Sequence, residues 1–267
     1  MKLNYKIIYI IVPLFISFIS SAQVGIGTLK PEGMLDLQNN NLTGFVFPKA
    51  ILTATNIESP INNPSGGGLV AGTVVFNTNT TSTGTNDVYP GIYVWDGSIW
   101  IPQYLREDAD IFEQSTLNFR VNGSDSYVDV PGLGIGTSFT PIYSGTYRIK
   151  ANFNFGAGTV KDTQIIDMAT EEGYFRFTFN GTSYLIYTHA YSIHNDNIGG
   201  GTLYEKFRHD SSLVLYVTLT SGVTYNFRLE IDMFVSGDFF DNGNSGVGRS
   251  WVGIDLPCTV EFTYLEE

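Results

Sequence analysis

The segment from 236 to 249 carries residue types that can hold a ligand through oxygen atoms. It begins Ser-Gly-Asp-Phe-Phe-Asp-Asn-Gly-Asn-Ser-Gly and lies between two strongly patterned stretches of the chain. Oxygen atoms of Asp and Asn in a Gly-rich loop are ligands for hard cations such as Ca²⁺. Aromatic rings beside polar amides can instead bind a sugar. The candidate ligand-binding residues, with both phenylalanines expected to be exposed, are Asp238, Phe239, Phe240, Asp241, Asn242 and Asn244.

Three interpretations of this loop remain open: a sugar site, a Ca²⁺ site and an ordinary polar connection rich in turn formers. The spacing of its acids does not match the EF-hand. Apart from this candidate Ca²⁺ ion, we expect no cofactor, and we assign no metal ligand.

Residues that commonly carry out catalysis are scarce, with three His and one Cys in 267 residues. His189 and His194 are five residues apart, which places them on opposite faces of an extended strand. The adjacent acids Glu171 and Glu172 are more typical of solvated charge than of the two facing carboxylates of a glycosidase. The sequence contains no G-x-S-x-G, H-E-x-x-H or phosphate-loop motif. We therefore expect a protein that is not an enzyme and has no catalytic residues.

The elements that would position these residues are β-strands. From 115 to 267, apolar side chains alternate with polar ones, as in a half-buried strand. Asn180-Gly181 has the residue types of a two-residue hairpin turn. Cys258 alternates in phase with the apolar residues of the last strand, so we expect it to be buried and unreactive. The alternating apolar positions are Tyr147 to Phe155, Phe175 to Phe179, Leu213 to Leu219, Tyr225 to Met233 and Cys258 to Tyr264.

Residues 23–105 have shorter apolar pieces, separated by Gly, Pro, Asn and Thr. Strands are predicted at Gly72 to Phe76 and Val88 to Trp95, followed by a tight turn at Asp96-Gly97. Trp95 and Trp100 are then either a cross-strand structural pair or a platform for a sugar. The charged stretch 106–114 is interpreted as a linker. The fold class predicted is all-β, with a short-stranded fibre-like module (23–105) and an antiparallel jelly-roll sandwich (115–267).

Residues 1–22 predict a secretory signal peptide. Lys2 and Lys6 precede an apolar run from Ile7 to Ile19, and small residues come before Gln23. The run has about 13 residues, fewer than the ~20 that a spanning helix needs. We therefore expect an exported chain, cleaved after Ala22, without a transmembrane segment.

The amino-acid composition excludes some kinds of binding partner and some kinds of fold. The net charge is -12, which argues against binding of nucleic acid, because that needs a basic surface. A single Cys excludes an intrachain disulfide scaffold. Aromatic residues make up 14% of the chain, which is typical of strands. The hydrophobic fraction of 43% excludes a wholly disordered chain.

The N-terminal motifs resemble those of secreted bacterial proteins that carry a phage-tail-fibre-like module. The pattern V-G-I-G-T-x-x-P, L-D, G-x-x-x-P, G-T-x-x-F-N-T and P-G-x-Y-x-W-D-G-x-x-W recurs here, with Lys49 in place of the usual Arg. The resemblance implies a fibre-like β module and transfers no catalytic residues. The matching positions are Val24 to Thr28, Pro31, Leu35-Asp36, Gly44 to Pro48, Gly72 to Thr78 and Pro90 to Trp100.

The C-terminal half resembles the head of complement component 1 subcomponent q, a tumour-necrosis-factor-like jelly roll. Phe139, Gly145 and Tyr147 have the spacing F-x5-G-x-Y of that family, whereas Ile149 and Ala151 stand where aromatics are usual. This resemblance implies a trimeric recognition head on a stalk.

Taken together, the sequence favours an exported binding or structural protein of the adhesion or recognition type, at the cell envelope or outside the cell. The expected partners are two further copies of the chain, in a homotrimer, and a glycan or other cell-surface ligand. A secreted carbohydrate-binding module or carbohydrate-active enzyme is one alternative, which a sheet face with exposed aromatics and paired carboxylates would favour. A phage-type tail-fibre-like component is another.

Overall fold

The structure is a computed structural model that describes residues 23–38, 42, 44–121, 126–161, 166–197, 199–240 and 250–266. The predicted signal peptide lies outside these residues. Within them the regular structure is β-strand, and no helix there is long and apolar enough to cross a membrane. The strands are β1 (Val24–Ile26), β2 (Leu35–Leu37), β3 (Lys49–Ala50), β4 (Val74–Asn77), β5 (Gly91–Trp95), β6 (Trp100–Pro102), β7 (Ala109–Glu113), β8 (Phe119–Val121), β9 (Val128–Asp129), β10 (Thr137–Phe139), β11 (Gly145–Ala157), β12 (Ile166–Phe179), β13 (Thr182–Asn195), β14 (Thr202–Tyr204), β15 (His209–Leu219), β16 (Tyr225–Met233), β17 (Ser250–Val252) and β18 (Thr259–Glu266).

The described residues fall into two compact units, and the boundary lies between Phe47 and Pro48. In the first unit, β1 and β2 pair in parallel, with Val24 opposite Leu35 and Ile26 opposite Leu37. Side chains two residues apart share a face of a strand. These four apolar residues therefore form one face, and all four are exposed.

In the second unit, β3, β4, β5 and β6 form a small four-stranded sheet in that order. Its core contains Trp95 and Trp100, which face each other across β5 and β6 with ring centroids 5.3 Å apart. Asn77 is fully buried, and its side chain accepts a hydrogen bond from the amide of Leu52 and donates one to the carbonyl of Tyr89. This side chain thus links the backbone that follows β3 to the backbone that precedes β5.

Two larger sheets of the same unit make the jelly-roll sandwich. One has the order β10-β16-β12-β13-β14, with β9 also on β16. The other has the order β7-β18-β11-β17-β8, with β15 also on β11. All the pairings within these two sheets are antiparallel. The all-β prediction and the antiparallel sandwich are thus confirmed.

The core lies between these sheets and is built from the alternating apolar residues that the sequence predicts. Phe153 of β11 stacks on Phe175 of β12, with ring centroids 4.9 Å apart. The hairpin between β12 and β13 turns at Asn180-Gly181, where both residues have positive φ, 44° and 83°. Such φ values suit Asn and Gly, and the turn sets the long register between the two strands.

The stretch 106–114, interpreted from sequence as a linker, includes strand β7, which pairs with β18. Asp87 also accepts a hydrogen bond from the hydroxyl of Ser144, so the small sheet region and the sandwich share polar contacts.

Candidate functional site

The loop that sequence analysis singles out is only partly a surface feature. Phe239 is fully buried in the sandwich core and pairs with Val160 in an isolated antiparallel bridge. The bridge gives the segment the alternation of a strand, so Phe239 points inward, whereas Asp238 and Phe240 are exposed. The expectation that Phe239 offers exposed apolar surface is therefore wrong. Asp241, Asn242 and Asn244 lie outside the described residues. The role of this loop as a ligand-binding site therefore stays a prediction.

The tryptophan pair is structural. Trp95 and Trp100 are 2% and 0% exposed, and the indole N–H of Trp100 donates to the carbonyl of Ile57 at 2.9 Å. Buried rings cannot stack on a sugar, so of the two interpretations the cross-strand pair is correct.

The titratable residues are dispersed. Glu171 is buried and Glu172 is exposed, because neighbouring residues of β12 point to opposite faces. His189 lies beside His209, with ring centroids 4.6 Å apart, and His194 lies 3.4 Å from Asp196. Among the residues that the structure describes, no group of three His, Cys, Asp or Glu is placed to hold a metal ion.

The first sheet of the sandwich has an outer face that carries aromatic rings and carboxylates in a regular array. The strand register sets Tyr174 of β12 between Asp232 of β16 and Tyr187 of β13. In the next row, Glu172 is paired with His189 on one side. On its other side the amide of Phe234 donates to the carbonyl of Glu172 at 2.9 Å. We call these six residues the aromatic patch: Asp232, Tyr174, Tyr187, Phe234, Glu172 and His189.

The rings of the aromatic patch are in mutual contact. The Tyr174 ring lies 5.9 Å from that of Tyr187 and 5.5 Å from that of Phe234, edge to face in both cases. The rings of Tyr187 and His189 stack at 5.6 Å. Contacts of this kind fix ring orientation. The surface remains open, since Tyr187 is 45% exposed and Phe234 is 38% exposed.

A carboxylate is bonded into the aromatic patch. The Tyr187 hydroxyl donates to Glu172, and this hydrogen bond raises the pKa of Tyr187 above its ordinary value. Tyr187 therefore stays protonated, and Glu172 keeps further lone pairs that can accept hydrogen bonds.

A charge network borders the aromatic patch. Glu230, whose side chain is 2% exposed, accepts two hydrogen bonds from Arg176, both at 2.7 Å, and lies 3.0 Å from Arg228. The Arg176 guanidinium also lies over the ring of Tyr127, 3.7 Å from its centroid. Its hydrogen bonds to Glu230 raise the pKa of Arg176 further above its ordinary value. The sheet face thus combines aromatic rings, carboxylates and fixed guanidinium groups.

The aromatic patch is not evident from the sequence alone. A signal was present, because Tyr174, Tyr187 and Tyr191 stand at alternating positions where a solvent-facing strand normally has polar side chains. Their adjacency depends on the register between three strands, which the sequence does not display.

The solved structures to which the chain is similar include the following two, both at low sequence identity. The structure titled "Structure of Eiger TNF from S. frugiperda" has a TM-score of 0.30 and 12% identity, and the match covers 61% of this chain and 95% of that one. The stem and receptor binding domain of the spike protein P1 from bacteriophage PM2 has a TM-score of 0.23 and 12% identity, with 71% and 82% covered. No curated protein sequence matches the chain.

The N-terminal part of the chain matches a known family. The motifs that resemble a phage-tail-fibre-like module lie almost wholly within the matched segment. The resemblance is thereby confirmed: residues 25–116 match the model of the family described as phage tail like trimerisation region.

Proposed function

We propose that this protein is an exported homotrimer whose N-terminal segment joins three copies, so that the C-terminal sandwiches recognise a ligand outside the cell. The observation that carries this proposal is the match of residues 25–116 to a trimerisation region. A trimerisation region is a structural module, which favours binding over catalysis.

The local structure of the first unit supports assembly. On the shared face of β1 and β2, Val24, Ile26, Leu35 and Leu37 are 53%, 59%, 59% and 42% exposed. Two three-residue strands cannot bury such a face by themselves. Contiguous exposed apolar surface of this kind marks a contact with other chains. Three copies related by closed cyclic symmetry can cover one another's apolar face.

Light scattering on purified residues 23–267 tests the assembly. We expect about three chain masses at micromolar concentration. The double substitution Ile26→Asp and Leu35→Asp should lower the mass towards one chain, because it places charges on the apolar face. The matched control is Ile135→Asp, at a residue that is 82% exposed and lies outside the matched segment, and it should leave the mass unchanged.

Two results would contradict the assembly proposal. One is a monomer for the unsubstituted protein. The other is a trimer that the double substitution leaves intact. Circular dichroism of each variant would establish that the β structure is retained.

Export rests on the N-terminal sequence. We propose cleavage after Ala22, which mass spectrometry of the secreted material would show as a chain that starts at Gln23. A chain that retains Met1 inside the cell would refute export.

The family match also supports the alternative of a phage-type tail-fibre-like component. That protein would copurify with a large particle, whereas a free recognition protein would be recovered from the medium or the cell surface as a separate trimer. Centrifugation of the native material through a density gradient separates the two.

A further inference from the structure

The aromatic patch is an open surface within a rigid sheet. Tyr174 lies on β12, which has hydrogen-bonded strands on both sides, and its register partners Asp232 and Tyr187 are fixed by those pairings. Side chains on paired strands hold their geometry better than side chains on loops do. A ligand that binds here would not have to order the protein backbone first.

The residue types in the aromatic patch match the two kinds of surface that a sugar ring presents. The exposed rings of Tyr187 and Phe234 offer π faces to the C–H side of a pyranose. Beside them, the carboxylate of Glu172 accepts hydrogen bonds, and the tyrosine hydroxyls can donate or accept them. A hydrophobic surface with a few convergent polar groups is the general form of a small-molecule site.

The negative charge of the aromatic patch argues against ligands other than a neutral or amino-sugar chain. A second copy that docked the same patch face to face would bring the carboxylates Glu172 and Asp232 of both chains together, in a protein whose net charge is -12. Juxtaposed like charges oppose association. Nucleic acids and acidic polysaccharides meet the same repulsion. The guanidinium of Arg176 is bonded to Glu230 and also interacts electrostatically with Asp232, so it offsets only part of the negative charge at this surface.

We propose that the aromatic patch binds a neutral or amino-sugar carbohydrate chain. Tyr187 and Phe234 would stack on successive sugar rings, and Glu172 would accept hydrogen bonds from sugar hydroxyls. This inference rests on the proposed recognition function and names the class of ligand and the surface that binds it.

The test uses residues 23–267 with defined probes: cello-, manno-, xylo- and chito-oligosaccharides on an array, with polygalacturonate and heparin as acidic probes. We expect binding to at least one neutral or amino-sugar probe and none to the acidic ones. Calorimetry with the best probe then gives the affinity of each variant. No binding to any neutral or amino-sugar probe, or binding to acidic probes alone, would overturn the inference.

Substitutions locate the surface. Tyr187→Ala and Tyr174→Ala should each weaken binding by about tenfold or more, as expected for aromatic residues at the centre of an interface. Tyr187→Phe keeps the ring and should retain most of the affinity. Tyr216→Ala is the matched control, because Tyr216 is 66% exposed on β15 of the other sheet, and it should not change binding.

The outcomes separate this inference from the proposed assembly. Affinity that survives both Tyr187→Ala and Tyr174→Ala would refute the aromatic patch as the site. A loss of the trimer, rather than of sugar affinity, in the same variants would make the patch a contact between chains and would also refute it. Sugar binding by a monomeric protein would leave this inference standing and refute only the trimer. Thermal melts of each variant confirm that the sandwich is folded.

Discussion

The burial of Cys258 leads to predictions about the reactivity of its thiol and about how the stability of the protein depends on pH. Its side chain is fully buried in the sandwich, and burial raises the pKa of the thiol from an ordinary 9.0 to about 11. The backbone amide of Cys258 donates to the side chain of Gln114 at 3.2 Å, so the position is fixed as well as enclosed. The thiolate is the reactive form, and a rise of two pKa units lowers its population at neutral pH about a hundredfold.

The assay compares the reaction of a chromogenic disulfide reagent with the native protein and with the protein in guanidinium, both at pH 8. We expect native labelling to be slower by about a hundredfold or more, because burial blocks access in addition to lowering the thiolate population. Native labelling within tenfold of the unfolded rate would show that the register of β18 is wrong by one residue, since a shift of one residue moves Cys258 to the solvent face.

The same pKa predicts how stability depends on pH. The folded-state pKa lies above the unfolded value, so the contribution is fully present below about pH 9 and is lost as pH rises through about 11. Two pKa units correspond to about 3 kcal/mol. Guanidinium melts of the unsubstituted protein and of Cys258→Ala between pH 8 and 11 isolate this contribution from other titrating groups. A stability difference between the two proteins that stays constant with pH would refute the reasoning.

Two further predictions concern stability and are measured by guanidinium melts. Trp100→Ala should lower the free energy of unfolding by about 4 kcal/mol, because it empties a fully buried site. The control Ile101→Ala, at a neighbour that is 41% exposed, should lower it by less than about 1 kcal/mol. Equal effects of the two substitutions would contradict the described core. Arg176→Ala should lower the free energy of unfolding by about 2 kcal/mol, since it removes two hydrogen bonds from the buried carboxylate of Glu230. The control Arg208→Ala breaks an exposed ion pair with Asp210 and should lower it by less than about 1 kcal/mol. A larger loss at Arg208 than at Arg176 would refute the role given to burial.

Much of the sandwich could be predicted from sequence because its signals are local. The alternation from Tyr147 to Phe155 places every second side chain in the core, as the structure shows. The residue types at Asn180-Gly181 predict a hairpin turn, and the structure has positive φ at both positions. The burial of Cys258 was predicted from its phase with Val260 and Phe262 and is confirmed.

The candidate site was harder to predict because its signals are not local. The exposure expected for Phe239 is wrong, since its segment pairs with Val160, which is nearly eighty positions earlier in the chain. Nothing in the sequence of the loop reveals that bridge. The linker interpretation of 106–114 rests on the charged residues of that stretch. Nothing in the stretch itself indicates that β7 pairs with β18, which lies about 150 positions later in the chain.

The strand periodicity and the turn at Asn180-Gly181 can be read from residue order alone, because dihedral preference and the two-residue repeat act between neighbours along the chain. The fibre-like motifs are likewise local. The choice of neighbouring strands and their register depends on contacts between distant parts of the folded chain. Asp232, Tyr174 and Tyr187 come from three strands and share a row because the pairings of β12 with β16 and β13 align them. A shift of one residue in either pairing would turn a ring or a carboxylate into the core, so the aromatic patch exists only as a consequence of the register.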